Sequence, residues 1–560
     1  MESIFPASGN HTSILFGRYV ATDYGELMMK SGVEDFLFDP SWIWLAVKLL
    51  PVWCASLGFI WWHHPRYGRN RGPTIFPVVG CLPQILMNLH RLYDWSTEEL
   101  EKTPTRTMRA KVLGLDYLET SNPANVEYML KTNFENYPKG EYFRSVIGDL
   151  LGLGIFNADG SLWKQQRKVA IPEFRARTLR ELAVNCVQRE LVGRFIPILD
   201  RFCDSNLVVD LQDLLLRFTF DTTCEIAFGA DPGCLKPDLP LVPFAKAFDD
   251  AVVLSTLRTL GTFPPWQVKR FLNVGSERKL RQSISVVDAF AYDLIQTRRK
   301  ELADGHGKHV SDLLSRFMHI ADEFVQTPEI KQRIEKDPRS RYFQPSDLFL
   351  RDIVTSFILA GRDASAAGLS WFFWLLSSNP VVEANIYNEI QTILASREPK
   401  TKGDGFLYEE LKSMHYLHAA LTESMRLYPP VPDDSKESVA DDVFPDGTFI
   451  PKGTVISFHI YAMGRSKSIW GSDCLVFRPE RFLTDGVFVP PNPFDYPVFL
   501  GGPRMCLGMD MGMMQMKLVA ATLICQYVFV VREGYRAHHD LSITMKILGG
   551  LPIYVRRREC

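Results

Sequence analysis

Beyond residue 85, long stretches in which apolar side chains recur with helical spacing dominate the chain and predict a mainly α-helical fold. We expect the longest helices over residues 348–376, 408–427 and 507–528. The first should end at Asn379-Pro380 and the second at Pro429-Pro430, because proline lacks the N–H that a helix interior needs. Short strand-like segments predict a minor β sheet, at 447–451 and 455–458.

A continuous hydrophobic stretch, rather than a periodic one, fills residues 41–63. Its core from Trp42 to Trp62 is long enough to span a bilayer, which takes about 20 residues, and tryptophans crowd both ends. Lys48 lies near one end, where it can reach the interface, and Pro51 is tolerated in a spanning helix. We therefore expect a single membrane-anchor helix, with a buried core helix or a surface-lying helix as the alternative.

The flanks of this segment predict its orientation. Residues 1–40 are acidic, whereas residues 64–84 carry arginines, prolines and glycines. Because basic flanks stay cytoplasmic, we expect a lumenal leader over 1–40, a transmembrane anchor over 41–63, a linker over 64–84 and a cytosolic domain over 85–560. The expected location is the endoplasmic reticulum membrane, with the glycosylation sequon at Asn10 on the lumenal side.

Composition narrows the function classes. The 63 Lys and Arg residues against 65 Asp and Glu give a net charge of -2, which argues against a broad nucleic-acid-binding surface. A hydrophobic share of 46% is too high for a disordered chain and too low for a multi-span membrane protein. The ten cysteines include no C-x-x-C pair, and H-E-x-x-H and G-x-S-x-G motifs are absent from the sequence. Zinc ribbons, metalloproteases and serine hydrolases are therefore unsupported.

One cysteine stands apart because of the loop that carries it. Residues 499–508 read FLGGPRMCLG, a glycine- and proline-rich turn that presents Cys506 just before a predicted helix. A helix N-terminus favours a thiolate, and Arg504 adds a positive charge nearby. Gly502 and Gly508 allow a bulky, flat group to approach the backbone closely. A buried free cysteine in a turn is the alternative.

The pattern F-x-x-G-x-R-x-C-x-G, from Phe499 to Gly508, resembles the haem-ligand loop of the cytochrome P-450 monooxygenases. The resemblance implies the cytochrome P-450 fold and a haem b whose iron is bound by the Cys506 thiolate, which favours O–O cleavage. It implies that Arg504 pairs with a haem propionate. Phe499, Gly502 and Gly508 would complete the cofactor-binding loop.

Three further motifs resemble the same family and follow its order along the chain. Trp163 and Arg167, one helical turn apart in W-x-x-x-R, resemble residues that reach a haem propionate. Glu423 and Arg426 in E-S-M-R, with Arg481 in F-R-P-E-R-F, resemble the family's buried Glu-Arg-Arg network. The role that the resemblance implies for this network is structural.

The predicted helix over 348–376 contains the sequence AGRDAS at 360–365, which resembles the segment where the family makes room for dioxygen. The family has an acid followed by threonine; Asp363 matches the acid and Ala364 departs from the alcohol. A hydroxyl there would hold a water chain for proton delivery, which a methyl group does not. Ser365, about 100° further round the helix, or a substrate hydroxyl is the candidate replacement. Asp363 and Ser365 are thus candidate catalytic residues, and we expect more peroxide per NADPH than in a threonine-bearing relative.

Longer stretches resemble the plant fatty-acid ω-hydroxylases of this family: 136–140, 154–157, 211–221 and 461–465. They imply a lipid-like substrate. Asp433 and Asp434 lie where the family lines its substrate channel, but acidic residues there suit a carboxylate head group poorly. We expect these two side chains at the surface, which is the commoner place for aspartate.

The sequence shows no flavin or nicotinamide site, so electrons should come from NADPH through a separate NADPH-cytochrome P-450 reductase. A basic stretch fits such an acidic partner, with a solvated helix face as the alternative; it comprises Lys164, Arg167, Lys168, Arg175 and Arg177.

The expected function is that of a membrane-anchored haem-thiolate monooxygenase that hydroxylates a long-chain fatty acid or fatty acyl derivative, at or near its terminal carbon. Ala364 keeps a second hypothesis open, a haem-thiolate isomerase or dehydratase that acts on fatty-acid hydroperoxides without O2 or reductase. A non-catalytic lipid carrier that retains haem is the third.

Overall fold

The structure is a computed structural model that describes residues 72–76, 79–112, 115–260, 265–304, 312–336, 344–397 and 405–559. The predicted leader over 1–40, the predicted anchor over 41–63 and the start of the predicted linker lie outside these residues. Within the described ranges, no helix combines the length and the apolar character that crossing a membrane requires.

Helices make up most of the described chain, as the sequence predicts. In chain order they are α1 Leu82–Met87, α2 Leu92–Glu101, α3 Pro123–Glu127, α4 Gly140–Leu151, α5 Gly160–Arg175, α6 Arg177–Glu190, α7 Ile196–Ser205, α8 Leu211–Phe228, α9 Pro243–Leu257, α10 Trp266–Leu272, α11 Gly275–Ala303, α12 Leu313–Val325, α13 Pro328–Lys336, α14 Pro345–Ile358, α15 Ala364–Ser377, α16 Pro380–Ala395, α17 Tyr408–Ser413, α18 His415–Leu427, α19 Ile460–Arg465, α20 Lys467–Trp470 and α21 Met509–Gln526. Local signals set several ends: the Asp210 carboxylate accepts the first free N–H groups of α8, and left-handed Gly229 ends it.

The three long helices that the sequence predicts have different outcomes. The helix over 348–376 is confirmed as α14 and α15, which one π-helical turn, Leu359–Asp363, joins. The helix over 408–427 is wrong as a single element, because non-helical Met414 separates α17 from α18. The helix over 507–528 is confirmed as α21, although its last two positions belong to a strand.

The strands form small sheets, as predicted. They are β1 Thr107–Val112, β2 Leu115–Thr120, β3 Val209–Asp210, β4 Asp434–Glu437, β5 Asp442–Val443, β6 Phe449–Ile450, β7 Val455–Phe458, β8 Leu483–Thr484, β9 Val487–Phe488, β10 Tyr527–Val531 and β11 Pro552–Arg557. The largest sheet has the order β1-β2-β7-β4, with β2 and β7 parallel and the other pairs antiparallel. The predicted strand over 455–458 is β7, and the segment 447–451 contributes only β6.

The pair α14–α15 runs through the centre of the core. It packs against α8, α11 and α12 on one part of its length and against α18 and α21 on another. From Ser346 to Phe373 every residue is buried except Ala360, Gly361 and Ala364, which are half-buried. The helix pair is therefore buried on all sides except at three small residues in or next to its π turn.

Candidate active site

The loop over 499–508 is shaped by its own backbone. The Cys506 N–H donates to the Phe499 carbonyl over 2.8 Å, which closes the loop just before α21. Gly502 has φ +64°, and a Cβ atom there would lie 2.0 Å from the carbonyl oxygen of Leu130. Only glycine fits at this position, so the loop is pressed tightly onto the neighbouring backbone.

The Cys506 side chain is exposed to solvent, but enough protein atoms lie around it to desolvate the thiol. Burial raises the pKa of its thiol, while the N–H groups of Gly508 and Met509 and the charge of Arg167 act in the opposite direction. The N–H groups at the start of α21 therefore favour the thiolate, as expected, but burial outweighs them in the free thiol. The cation that favours the Cys506 thiolate is Arg167 rather than the expected Arg504.

Two arginines flank the Trp163 ring beside this loop. Arg167 lies 5.5 Å from the ring centroid and donates from Nη2 to the Met505 carbonyl over 2.9 Å. Arg504 lies 4.5 Å from the same centroid and donates to the Ala158 carbonyl over 3.0 Å. The Nε of Arg504 is buried without a hydrogen-bond partner. An unpaired N–H on a buried cation fits an additional anionic group.

More buried cations lie near Arg504, and the sequence analysis missed them. Lys436 is fully buried and pairs with Asp434 over 2.7 Å, and Lys139 pairs with the same carboxylate. Arg504 and Arg144 both pair with Asp159, so four cations share two carboxylates. Burial lowers the pKa of Lys436 to about 7, which shows that its charge is poorly compensated.

The two aspartates that were expected at the surface lie inside the protein. Asp434 is 8% exposed, and its ion pairs with Lys139 and Lys436 offset the cost of burying its charge. Asp433 is half-buried, accepts a hydrogen bond from Ser457 Oγ over 3.0 Å, and has a pKa that burial raises. The surface prediction is wrong for both, because charged partners offset the desolvation of one and a hydroxyl partly offsets that of the other.

The half-buried face of the long helix lies across one aromatic ring from the loop. Phe174 stacks on Phe357 with centroids 6.0 Å apart, and its ring lies 3.8 Å from the Cβ position of Gly508. Ala360 lies about one turn beyond Phe357, and Ala364 follows the π turn; both are half-buried. Small side chains therefore occupy the least buried positions of this part of the helix.

The candidate catalytic residues of the helix are buried more deeply than Ala364. Asp363 is fully buried and accepts from Arg362 Nη1 over 2.8 Å. Ser365 is 7% exposed, and its Oγ lies 4.0 Å from the Cβ position of Gly512 in α21. Of the three consecutive residues, Ala364 alone is half-buried, so a methyl group occupies the position where a hydroxyl was sought.

Glu423, Arg426 and Arg481 form one buried ionic network. Glu423 accepts from Arg426 Nε over 2.7 Å and from Nη2 over 2.8 Å, and Arg481 Nε donates to it over 3.1 Å. Arg426 also donates to the Cys474 carbonyl over 2.6 Å. The network ties α18 to the segment that leads towards the Cys506 loop.

These features fit a flat, iron-bearing group with acidic side chains, which is haem. Within the described ranges, no three His, Cys, Asp or Glu side chains form a group that would hold a metal by themselves. The buried cations near the loop suit the acidic side chains of haem, and the Arg504 Nε has no other hydrogen-bond partner.

Comparison with known proteins agrees with this fit. The family model for cytochrome P450 matches residues 71–545. Cytochrome P450 86B1 of Arabidopsis thaliana is 42% identical over 92% of this chain and 90% of its own length. Cytochrome P450 94C1 of the same plant is 44% identical over 84% and 90%, and cytochrome P450 94A1 of Vicia sativa is 40% identical over 87% and 91%. The chain belongs to the cytochrome P450 family and is a haem-thiolate monooxygenase whose electrons come from a reductase.

Proposed function

We propose that this monooxygenase hydroxylates a long-chain fatty acid or fatty acyl derivative at or near its terminal carbon. The observation that carries the proposal is the resemblance of four segments to plant fatty-acid ω-hydroxylases, at 136–140, 154–157, 211–221 and 461–465. One of them packs on the candidate site: Thr219 in α8 donates to the Arg362 carbonyl over 2.8 Å, at the π turn.

In this proposal each part of the site has a separate task. The haem supplies O2 reduction and insertion of one oxygen atom into a C–H bond. Cys506 binds the iron, and Phe499, Gly502 and Gly508 shape the loop that holds it. The face that carries Ala364 presents apolar surface to an alkyl chain. An alkyl chain bound on this surface would displace water from it, which favours C–H chemistry.

The propionate side of the proposal uses the cations already described. Arg504 and Trp163 would hold one propionate, and Arg167 fixes the backbone of the loop through Met505. Lys436 gains a counter-charge when a propionate is bound, which relieves its desolvation.

The contacts near Asp433 bear on which head group the proposed substrate carries. Asp433 places a carboxylate, enclosed by protein, beside Ser457. A free carboxylate head group close to it would be repelled, so substrates with an esterified, reduced or conjugated head group belong in the test.

The electron donor that we propose is NADPH-cytochrome P-450 reductase at the endoplasmic reticulum membrane, with residues 41–63 as the anchor and the catalytic domain in the cytosol. Four residues of the basic stretch are exposed and support an acidic partner, namely Lys164, Lys168, Arg175 and Arg177. Arg167 is turned towards the Cys506 loop instead.

The test is expression in microsomes with the reductase, followed by mass spectrometry of products from acids of twelve to twenty-four carbons and from their alcohols and methyl esters. The proposal predicts NADPH-dependent products hydroxylated at or next to the terminal carbon. Products from fatty-acid hydroperoxides alone, formed without NADPH, would favour the isomerase alternative that Ala364 suggests.

A further inference from the structure

The helix beside this site lacks the hydroxyl group that would take part in proton delivery at position 364. Ala364 is half-buried and carries no hydroxyl, while Asp363 and Ser365 on either side of it are buried. Proton delivery near a reacting oxygen needs a positioned acid whose orientation survives the loss and gain of its proton. The partners of the Asp363 carboxylate therefore decide whether the acid is held in one position.

One carboxylate oxygen of Asp363 is held by a rigid framework. Oδ1 accepts from Arg362 Nη1 over 2.8 Å, and Arg362 also binds both oxygens of Asp249 over 2.8 and 3.0 Å. Lys546 lies in the loop between β10 and β11, the C-terminal loop, and its Nζ is 3.0 Å from Asp249 Oδ1. The guanidinium that binds Oδ1 is therefore held in place by contacts between the π turn, α9 and the C-terminal loop.

The other oxygen meets a hydroxyl from far along the chain. Thr544 Oγ1 donates to Asp363 Oδ2 over 3.4 Å, and Thr544 is 2% exposed. The residue after Thr544 fixes the loop on both sides, because Met545 N–H donates to the Pro430 carbonyl and its own carbonyl accepts from Trp371 Nε1, each over 2.8 Å. Thr544 has little freedom to leave the carboxylate.

We propose that Thr544 supplies the hydroxyl that position 364 lacks and acts as the positioning residue for Asp363. A hydroxyl both donates and accepts. It donates to Oδ2 when Asp363 is ionised, and it accepts from the Oδ2 proton when Asp363 is protonated. The hydrogen bond reverses direction as Asp363 gains or loses its proton, while Thr544 itself gains and loses none, so the acid keeps its orientation through each cycle.

The first test measures coupling with the full-length haem protein, its reductase and the acyl substrate that is turned over fastest. Thr544→Val removes the hydroxyl at nearly constant shape and should raise peroxide formed per NADPH about fivefold, as expected for one lost hydrogen bond. Thr544→Ser should stay close to wild type. Unchanged peroxide in Thr544→Val overturns the proposal.

A second background separates positioning from a general structural effect. In Ala364→Thr the alcohol is restored on the helix, so adding Thr544→Val should then change peroxide by less than about twofold. A fivefold increase in both backgrounds would show that Thr544 matters only for packing and would overturn the proposal.

A third readout needs no turnover. Thermal unfolding midpoints of Thr544→Val, Asp363→Asn and the double variant should be non-additive, because each change removes the same contact. Thr522→Val is the matched control, since the Thr522 hydroxyl is buried and bonds only within its own helix, to the Leu518 carbonyl over 2.8 Å. Its effect should add to that of Asp363→Asn.

If Thr544→Val does not accumulate as folded protein, Thr544→Ala replaces it in all three tests. Additivity of the Thr544 variant with Asp363→Asn contradicts the proposal.

Discussion

The loop that carries Cys506 and the long helix that contains the π turn both approach Phe174, but different kinds of contact hold the loop and the turn. The loop depends on its own backbone, on Gly502, and on the Glu423 network behind it. The turn depends on side chains from distant segments, which reach it from α8, α9 and the C-terminal loop.

This difference separates two kinds of failure. A change at the loop or its network removes backbone geometry or a buried counter-charge, so it should cost folding free energy and haem retention. A change at the turn leaves the fold in place and should alter how completely oxygen is used. The predictions below test that separation, from the largest expected effect to the smallest.

Glu423→Gln should have the largest effect. It leaves the buried guanidinium of Arg426 without its counter-charge, and we expect a loss of about 3–5 kcal/mol in the free energy of unfolding. The measurement is chemical unfolding followed by haem absorbance. Glu409→Gln, at an exposed pair with Lys412, is the control and should cost less than about 1 kcal/mol. Similar losses in both would show that the network does not support the loop.

Gly502→Ala should cost about 3 kcal/mol, because its φ of +64° is strained for alanine and the new Cβ would press on the Leu130 carbonyl. Gly447→Ala tests the strain alone, since Gly447 has φ +85° with no atom within 4 Å of a Cβ; about 1 kcal/mol is expected there. Thermal midpoints and the haem content of purified protein measure both. Equal effects would mean that the close approach at Gly502 does not constrain the loop.

The buried charge of Lys436 predicts a pH dependence. Its pKa is about 7 in the folded chain, against about 10.4 when unfolded, so between these values the unfolded chain binds one proton more. Stability of the haem-free protein should therefore rise with pH from 7 to 10, by at most about 1.4 kcal/mol per pH unit. Lys436→Met should flatten this part of the profile. Haem should flatten it too, and an identical slope with and without haem would contradict a propionate beside Lys436.

Ala364→Thr should have the smallest effect. Because Thr544 already holds Asp363, restoring the helix hydroxyl should lower peroxide per NADPH only about twofold. Peroxide and product are measured in the same reaction, with Ala360→Ser, also on the half-buried face, as the control for added polarity. No decrease would reject the idea that the missing alcohol limits coupling.

The same comparison explains what the sequence made predictable. The Cys506 loop, the pair Trp163 and Arg167, and the long helices are encoded by residues that are close in sequence, so spacing alone predicts their local geometry. The break at Met414 was missed because neither proline nor glycine marks it. The π turn at Leu359–Asp363 was not predicted, because a regular helical period does not describe its change of register.

The charged residues near Arg504 show the limit most clearly. Lys139, Lys436 and Asp434 appear in the sequence as ordinary surface charges, and only their mutual contacts make burial tolerable. Thr544 is 181 positions away from Asp363, so no local pattern connects them. Contacts of this kind follow from the tertiary fold and not from spacing.

The most direct test of the account is the absorption spectrum of the carbon monoxide complex of the dithionite-reduced, haem-bound protein. The account predicts the long-wavelength Soret band of thiolate-ligated haem, and its loss in Cys506→His, which should show the shorter-wavelength band of histidine ligation instead. A wild-type protein that shows the histidine-type band, keeps the thiolate band in Cys506→His, or retains no haem would contradict it.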